Sequence, residues 1–115
     1  LDKLSKVIGK KLFPLDSQDS LREQFRASMK MLTKSSYTRS LLSFLGWDVS
    51  EKLYLLQMPV LVVAAEHDYT PVELKKEYCK KITKSKLVVI SDSFHATPMD
   101  QPDVLNSHIA SFIEP

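Results

Sequence analysis

The sequence predicts an α/β fold in which a helical segment, residues 1–55, precedes a βαβα unit with parallel strands, residues 56–115. Three observations predict it. Val60-Leu61-Val62-Val63-Ala64-Ala65 and Lys86-Leu87-Val88-Val89-Ile90 are continuous apolar runs without alternation, the pattern of strands buried on both faces. The stretch between them and the stretch after the second have helical spacing. The 115 residues contain only two glycines, Gly9 and Gly46, against an average usage of about 7%. The turn-rich half of a complete α/β enzyme is therefore expected elsewhere.

In the first segment, Leu4, Val7, Ile8 and Leu12 recur at helical spacing over residues 1–12, and Pro14 ends that helix. Ser17 or Asp19 is placed to cap a second helix running to about Thr33, with the stripe Leu21, Phe25, Met29 and Leu32. A shorter third helix is expected over 36–45, closed by Gly46. Asp48 is placed to cap a turn over 48–55, with Glu51 as its box partner. After Pro59 the pattern switches to strand, then a loop at 66–71. A helix over 72–83 follows, with Leu74, Tyr78 and Ile82 on one side. The second strand leads to a loop at 91–98 and a last helix over 101–113, with Pro102 in its first turn and Leu105, Ile109 and Phe112 inward. Two such strands do not complete a sheet, because parallel strands covered on both faces need neighbours on an edge and helices above and below.

Composition narrows the function classes. With 43% hydrophobic and 26% charged residues the chain reads as globular. A net charge of +2 makes no case for a nucleic-acid partner. The densest basic stretch, Lys75-Lys76 with Lys80-Lys81, alternates with Glu73 and Glu77 and reads as a solvated helix face. No apolar run approaches the roughly 20 residues of a membrane span. The single cysteine, Cys79, excludes an internal disulfide framework. The start at Leu1-Asp2-Lys3, without initiator methionine or signal pattern, reads as that of a cut, processed or excerpted chain. The compartment stays open, with the cytoplasm slightly favoured.

The chemistry lies in the two loops after the strands. In an open parallel sheet functional residues gather at the carboxyl ends of strands. A right-handed crossover brings both loops to the same edge. The first loop holds Glu66-His67-Asp68 and the second Asp92-Ser93-Phe94-His95, so Asp68 and His95 are expected to meet. A carboxylate on one imidazole nitrogen fixes the tautomer and stabilises the imidazolium formed when the other nitrogen takes a proton.

The run Gln57-Met58-Pro59-Val60-Leu61-Val62-Val63-Ala64-Ala65-Glu66-His67-Asp68-Tyr69-Thr70-Pro71 resembles the α/β-hydrolase strand and loop that present the triad acid. Ser91-Asp92-Ser93-Phe94-His95, followed by Asp100-Gln101-Pro102-Asp103-Val104-Leu105-Asn106 and Ile109-Ala110-Ser111-Phe112-Ile113, is similar to that family's ending. The resemblance covers roughly residues 53–113 and implies the C-terminal portion of an α/β-hydrolase fold. It implies Asp68 as triad acid and His95 as triad histidine, and it puts residues 1–55 where the family inserts its variable cap. Ala65 and Phe94 stand where the family often has glycine, and Phe94 is large enough to narrow a pocket or shift the histidine loop. The family's nucleophile sits on a strained elbow, usually Gly-x-Ser-x-Gly. Gly9 and Gly46 do not form one, and the oxyanion-hole loop is equally missing, so this chain alone is not expected to turn over substrate.

Other residues have plainer readings. Asp68 and His95 taken singly are an ordinary loop cap and a surface histidine; their pairing is what points to catalysis. A metal site from His67, His95 and Asp92 lacks regular ligand spacing, and no metal or cofactor is expected. His108 lies beside the core stripe of the last helix, and Glu66 and Asp92 read as solvated. Cys79 lies away from both loops. Phe25, Met29, Met31, Phe44 and Trp47 are candidates to line an acyl pocket, with plain packing as the rival reading; Phe94, Trp47, Phe44 and Met29 are the proposed substrate contacts. The resulting expectation is a fragment of a hydrolase of esterase or lipase type. It would act on an ester or related carbonyl in a small-molecule substrate, its partner being the missing N-terminal part of the fold or another copy of the chain. The rivals are a non-catalytic α/β-hydrolase-like binding module and a self-standing α/β domain.

Overall fold

The computed structural model describes residues 1–114 and divides into two compact units, Leu1–Trp47 and the residues from Asp48 onward. The first unit is helical: α1 (Asp2–Leu12), α2 (Asp19–Lys30) and α3 (Lys34–Ser43), with a single 3₁₀ turn, Asp16–Gln18, ahead of α2. α1 and α2 pack where α1 carries Gly9, since a methyl group at that position would stand 3.4 Å from Cδ1 of Phe25. Leu12, Phe13 and Met29 are buried. The loop between the two helices is tied down by Arg22. Its guanidinium donates to the carbonyls of Phe13, Leu15 (2.7 Å) and Asp16 (3.4 Å) and to Asp19 Oδ1 (2.6 Å).

Several boundaries differ from those expected. Neither Ser17 nor Asp19 caps α2, which starts directly from the 3₁₀ turn; the Asp19 carboxylate is taken up by Arg22. α2 stops at Lys30, not Thr33, because Thr33 starts the next helix: its Oγ1 accepts from the Ser36 amide at 3.0 Å. Leu32 is consequently exposed and off the stripe. α3 ends at Ser43 and unwinds through short turns into Gly46, whose φ of 73° is the left-handed conformation that glycine adopts without cost.

The second unit opens with a 3₁₀ turn, Ser50–Leu55, entered where Asp48 Oδ1 accepts from the Ser50 amide at 2.8 Å. Glu51 does not reach back to complete a capping box; it pairs with Lys81 at 2.9 Å. There follow β1 (Val60–His67), α4 (Val72–Lys81), β2 (Ser85–Phe94), the short α5 (Thr97–Asp100) and α6 (Pro102–Ile113). The two strands pair in parallel, as the sequence predicts. Both extend further toward their carboxyl ends than their apolar runs do, and α5 occupies what reads as loop. Ala64, Ala65, Ile82 and Ile90 form the buried centre, while residues 60–63 stay half-exposed and Val89 exposed. The strands are thus covered only in part among the described residues. The inner face of α4 also differs: Val72, Leu74, Lys75 and Cys79 face inward, Tyr78 is exposed, and Ile82 is buried just past the helix end at Lys81. On α6 the half-buried residues are Leu105, His108 and Phe112, with Ile109 exposed. Among the described residues no helix is long and apolar enough to cross a membrane.

The register of the sheet decides what meets at its carboxyl edge. Val60 faces Ser85 and the pairing advances evenly to Ala65 facing Ile90. The next pair is His67 with Phe94, so Glu66 alone on β1 is spanned by residues 91–93 on β2. This is a bulge. It is held by Glu66 Oε2, which accepts from the Asp92 amide at 2.9 Å, and it places Asp92 at a φ of 53°. In the uninterrupted register Asp68 would face Ser93; the bulge delivers His95 instead.

Candidate active site

Asp68 follows β1 in a turn closed by its amide on the Ala65 carbonyl at 3.4 Å, and His95 follows β2 directly. His95 Nδ1 lies 2.6 Å from Asp68 Oδ1. The same oxygen accepts from the Tyr69 amide at 2.7 Å. The second oxygen, Oδ2, accepts from Lys75 Nζ at 2.8 Å and more distantly from Thr70 Oγ1 at 3.5 Å. The Asp68 side chain is 14% exposed and that of His95 50%. The acid is enclosed while the imidazole opens to solvent.

Burial acts to raise the Asp68 pKa, but the hydrogen bonds from Lys75, His95 and the Tyr69 amide, with the charge of Lys75, more than offset it. They hold the carboxyl at about 2. A carboxylate ionised near neutral pH accepts a proton-bearing Nδ1, which leaves Nε2 of the neutral imidazole with its lone pair free to take a proton. The Tyr69 ring stacks on the imidazole, with centroids 4.4 Å apart at 22°. Burial and the Asp68 charge both raise the Tyr69 phenol above its ordinary range, so it stays neutral beside the pair.

The histidine end is braced from behind. Phe94 donates its amide to Asp100 Oδ2 at 2.9 Å, and Thr97 Oγ1 donates to the Phe94 carbonyl at 3.1 Å. Fully buried Ser93 bonds Thr97 Oγ1 at 3.0 Å, and Gln101 Nε2 reaches the Ser91 carbonyl at 2.8 Å. None of these roles is assigned by the sequence reading. Lys75 departs from it further, being placed there on a solvated face although its side chain is 11% exposed. A signal exists: Lys75 shares the helical stripe of Val72, Cys79 and Ile82, so its stem points inward.

The remaining candidates fall in both units. Phe94 is half-buried, its ring 5.2 Å from that of His67. In the first unit Met29 is buried, Phe25 half-buried and Met31 exposed, and Phe44 and Trp47 are 69% and 68% exposed. Glu66, His67 and Asp92 present potential metal ligands within 4.8 Å of one another, all on the surface; Glu66 already secures the bulge. His95, engaged by Asp68, is not in that group.

No protein-family model matches the chain. Over 68 residues it is 31% identical to a proline iminopeptidase of Saccharolobus solfataricus, covering 59% of this chain and 22% of that protein. A hydrolase of Pseudomonas aeruginosa superposes with a TM-score of 0.86 at 20% identity, over 98% of this chain and 44% of its own. An esterase of a Rhodococcus species superposes with a TM-score of 0.75 at 21% identity, over 96% and 40% respectively. The chain thus spans less than half the length of these structures. Their likeness, together with the parallel strands and the crossover helix, fixes the architecture: the chain has the fold of the C-terminal part of an α/β hydrolase.

Proposed function

We propose that this chain supplies the acid, Asp68, and the histidine, His95, of a nucleophile–His–Asp triad. The hydrolase it serves acts on an ester or related carbonyl, with the nucleophile and oxyanion-hole donors on residues outside these 115, and residues 1–55 belong to its cap. The observation that carries the reading is the 2.6 Å contact between Asp68 Oδ1 and His95 Nδ1 at the carboxyl edge of two parallel strands. The names of the similar proteins, a hydrolase, an esterase and an iminopeptidase, support the class without choosing the bond. The half-exposed apolar residues of β1 support a sheet that continues beyond this chain.

On this reading His95 Nε2 takes the proton of the attacking hydroxyl, hands it to the leaving group, and then draws a proton from the water that releases the acyl group. Asp68 keeps the imidazole oriented and stabilises its transient positive charge. The test is turnover of a p-nitrophenyl ester by the complete protein containing these residues. Asp68→Asn lowers kcat by about 10⁴-fold and His95→Ala by about 10⁶-fold. Near-normal turnover in either variant overturns the proposal, and a complete protein that lacks a nucleophile would be a binding module instead.

A further inference from the structure

A triad carboxylate has two oxygens, and only one is needed by the histidine. The other, Asp68 Oδ2, sits in an enclosed position where an unpaired charge is costly. It is met by Lys75 Nζ at 2.8 Å. That ammonium also donates to the Thr70 carbonyl at 2.6 Å and to Thr70 Oγ1. Three acceptors match the three donors of an ammonium group. Lysine is seldom buried unless paired, and this one is shut in on the first turns of α4, beneath the loop that carries the acid.

Resting on the reading of Asp68 as the triad acid, we propose that Lys75 is a positioning residue: its ammonium clamps Asp68 Oδ2 and stops the carboxylate rotating, so that Oδ1 stays on His95 Nδ1. The clamp also ties the acid loop to α4 through both groups of Thr70. A carboxylate held by one oxygen alone can turn about its Cβ–Cγ bond and offer the imidazole a poorer angle. With the second oxygen pinned, the His95 bond keeps its geometry as charge moves onto the ring in each half-reaction.

The test uses the complete protein and begins without any substitution. In the unsubstituted protein at neutral pH, the nitrogen-15 signal of the Lys75 ammonium persists against solvent exchange, and Asp68→Asn moves it. Lys75→Met keeps length and volume while removing the charge. It makes the Asp68 carboxyl carbon titrate at higher pH, and it lowers kcat on a p-nitrophenyl ester by about 10- to 100-fold with KM little changed. A purely structural lysine would lower thermal stability in Lys75→Met and leave kcat of the folded variant intact, which overturns the clamp. So does a Lys75 signal indifferent to Asp68→Asn, a result that stands even if Lys75→Met does not fold. The two levels separate cleanly. Asp68→Asn crippled with Lys75→Met fully active removes the clamp alone, whereas Asp68→Asn fully active removes the triad reading beneath it.

Discussion

The ionised state of Asp68 carries a stability consequence that can be worked out and measured. Its carboxyl is held at about 2, against an ordinary value of 3.8. At roughly 1.4 kcal/mol per pH unit, the ionised form contributes on the order of 2 kcal/mol to folding. The sign follows from the depressed value. The contribution is present above the unfolded pKa, nearly complete at pH 5, and lost as pH falls through the folded value, with about 0.4 kcal/mol left at pH 2. Over an unfolding unit of 115 residues, 2 kcal/mol corresponds to a change in melting temperature of about 8 °C, and over one twice as long to about 4 °C. Asp2 and Asp48 are also lowered, the first chiefly by its hydrogen bond with Lys6 and the second by the Ser50 amide, so the unsubstituted protein loses stability in acid for several reasons. Comparison with Asp68→Asn isolates the one group. Thermal melts from pH 6 to pH 2 should show the variant less stable by about 2 kcal/mol or more near neutrality, since it also leaves the Lys75 charge without its carboxylate. The gap should narrow steeply between pH 4 and pH 2. A gap that stays constant across that range refutes the claim that Lys75, His95 and the Tyr69 amide stabilise the ionised acid.

Three further outcomes follow from the packing. At the bulge, Asp92→Gly suits the φ of 53° and keeps the amide bond to Glu66, so melts should change by less than about 1 kcal/mol; Asp92→Val, β-branched in a left-handed conformation, should cost at least about 1–2 kcal/mol and broaden the His95 resonances. Asp100→Ala removes the acceptor of the Phe94 amide and should cost about 1–3 kcal/mol in urea unfolding, with faster hydrogen exchange at Phe94. At the contact of α1 and α2, Gly9→Ala meets Phe25 at 3.4 Å and gains helix propensity, so it should be neutral or stabilising by up to about 1 kcal/mol, whereas Gly9→Leu overfills the gap and should destabilise by about 1–3 kcal/mol.

The parallel strands and the approach of Asp68 to His95 were legible because both rest on local signals. Apolar runs of strand length, Pro59 and Pro71 as punctuation, and an intervening helix leave little choice of topology. What the pattern did not carry was the register. Residues 91–93 are polar and read as loop, yet they lie within β2 as its bulge, because Glu66 satisfies the Asp92 amide, α5 accepts from the Ser93 hydroxyl and the Phe94 amide, and Gln101 donates to the Ser91 carbonyl. Lys75 reads as solvated because its charge type argues for solvent while its helical position argues for the interior; the carboxylate that resolves the conflict lies on another element. The ends of α2 and α3 are ambiguous in the sequence for a related reason. Ser17, Asp19 and Thr33 are all competent caps, and the choice among them is made by Arg22 and Ser36.

The central claim is that the Asp68 carboxylate holds the proton-bearing Nδ1 of His95. Nitrogen-15 NMR of the histidine side chains reads this directly. Neutral His95 should carry its proton on Nδ1, with a strongly downfield proton signal that disappears in Asp68→Asn. A His95 found in the Nε2-protonated tautomer, or a downfield signal that survives the loss of the carboxylate, would contradict it.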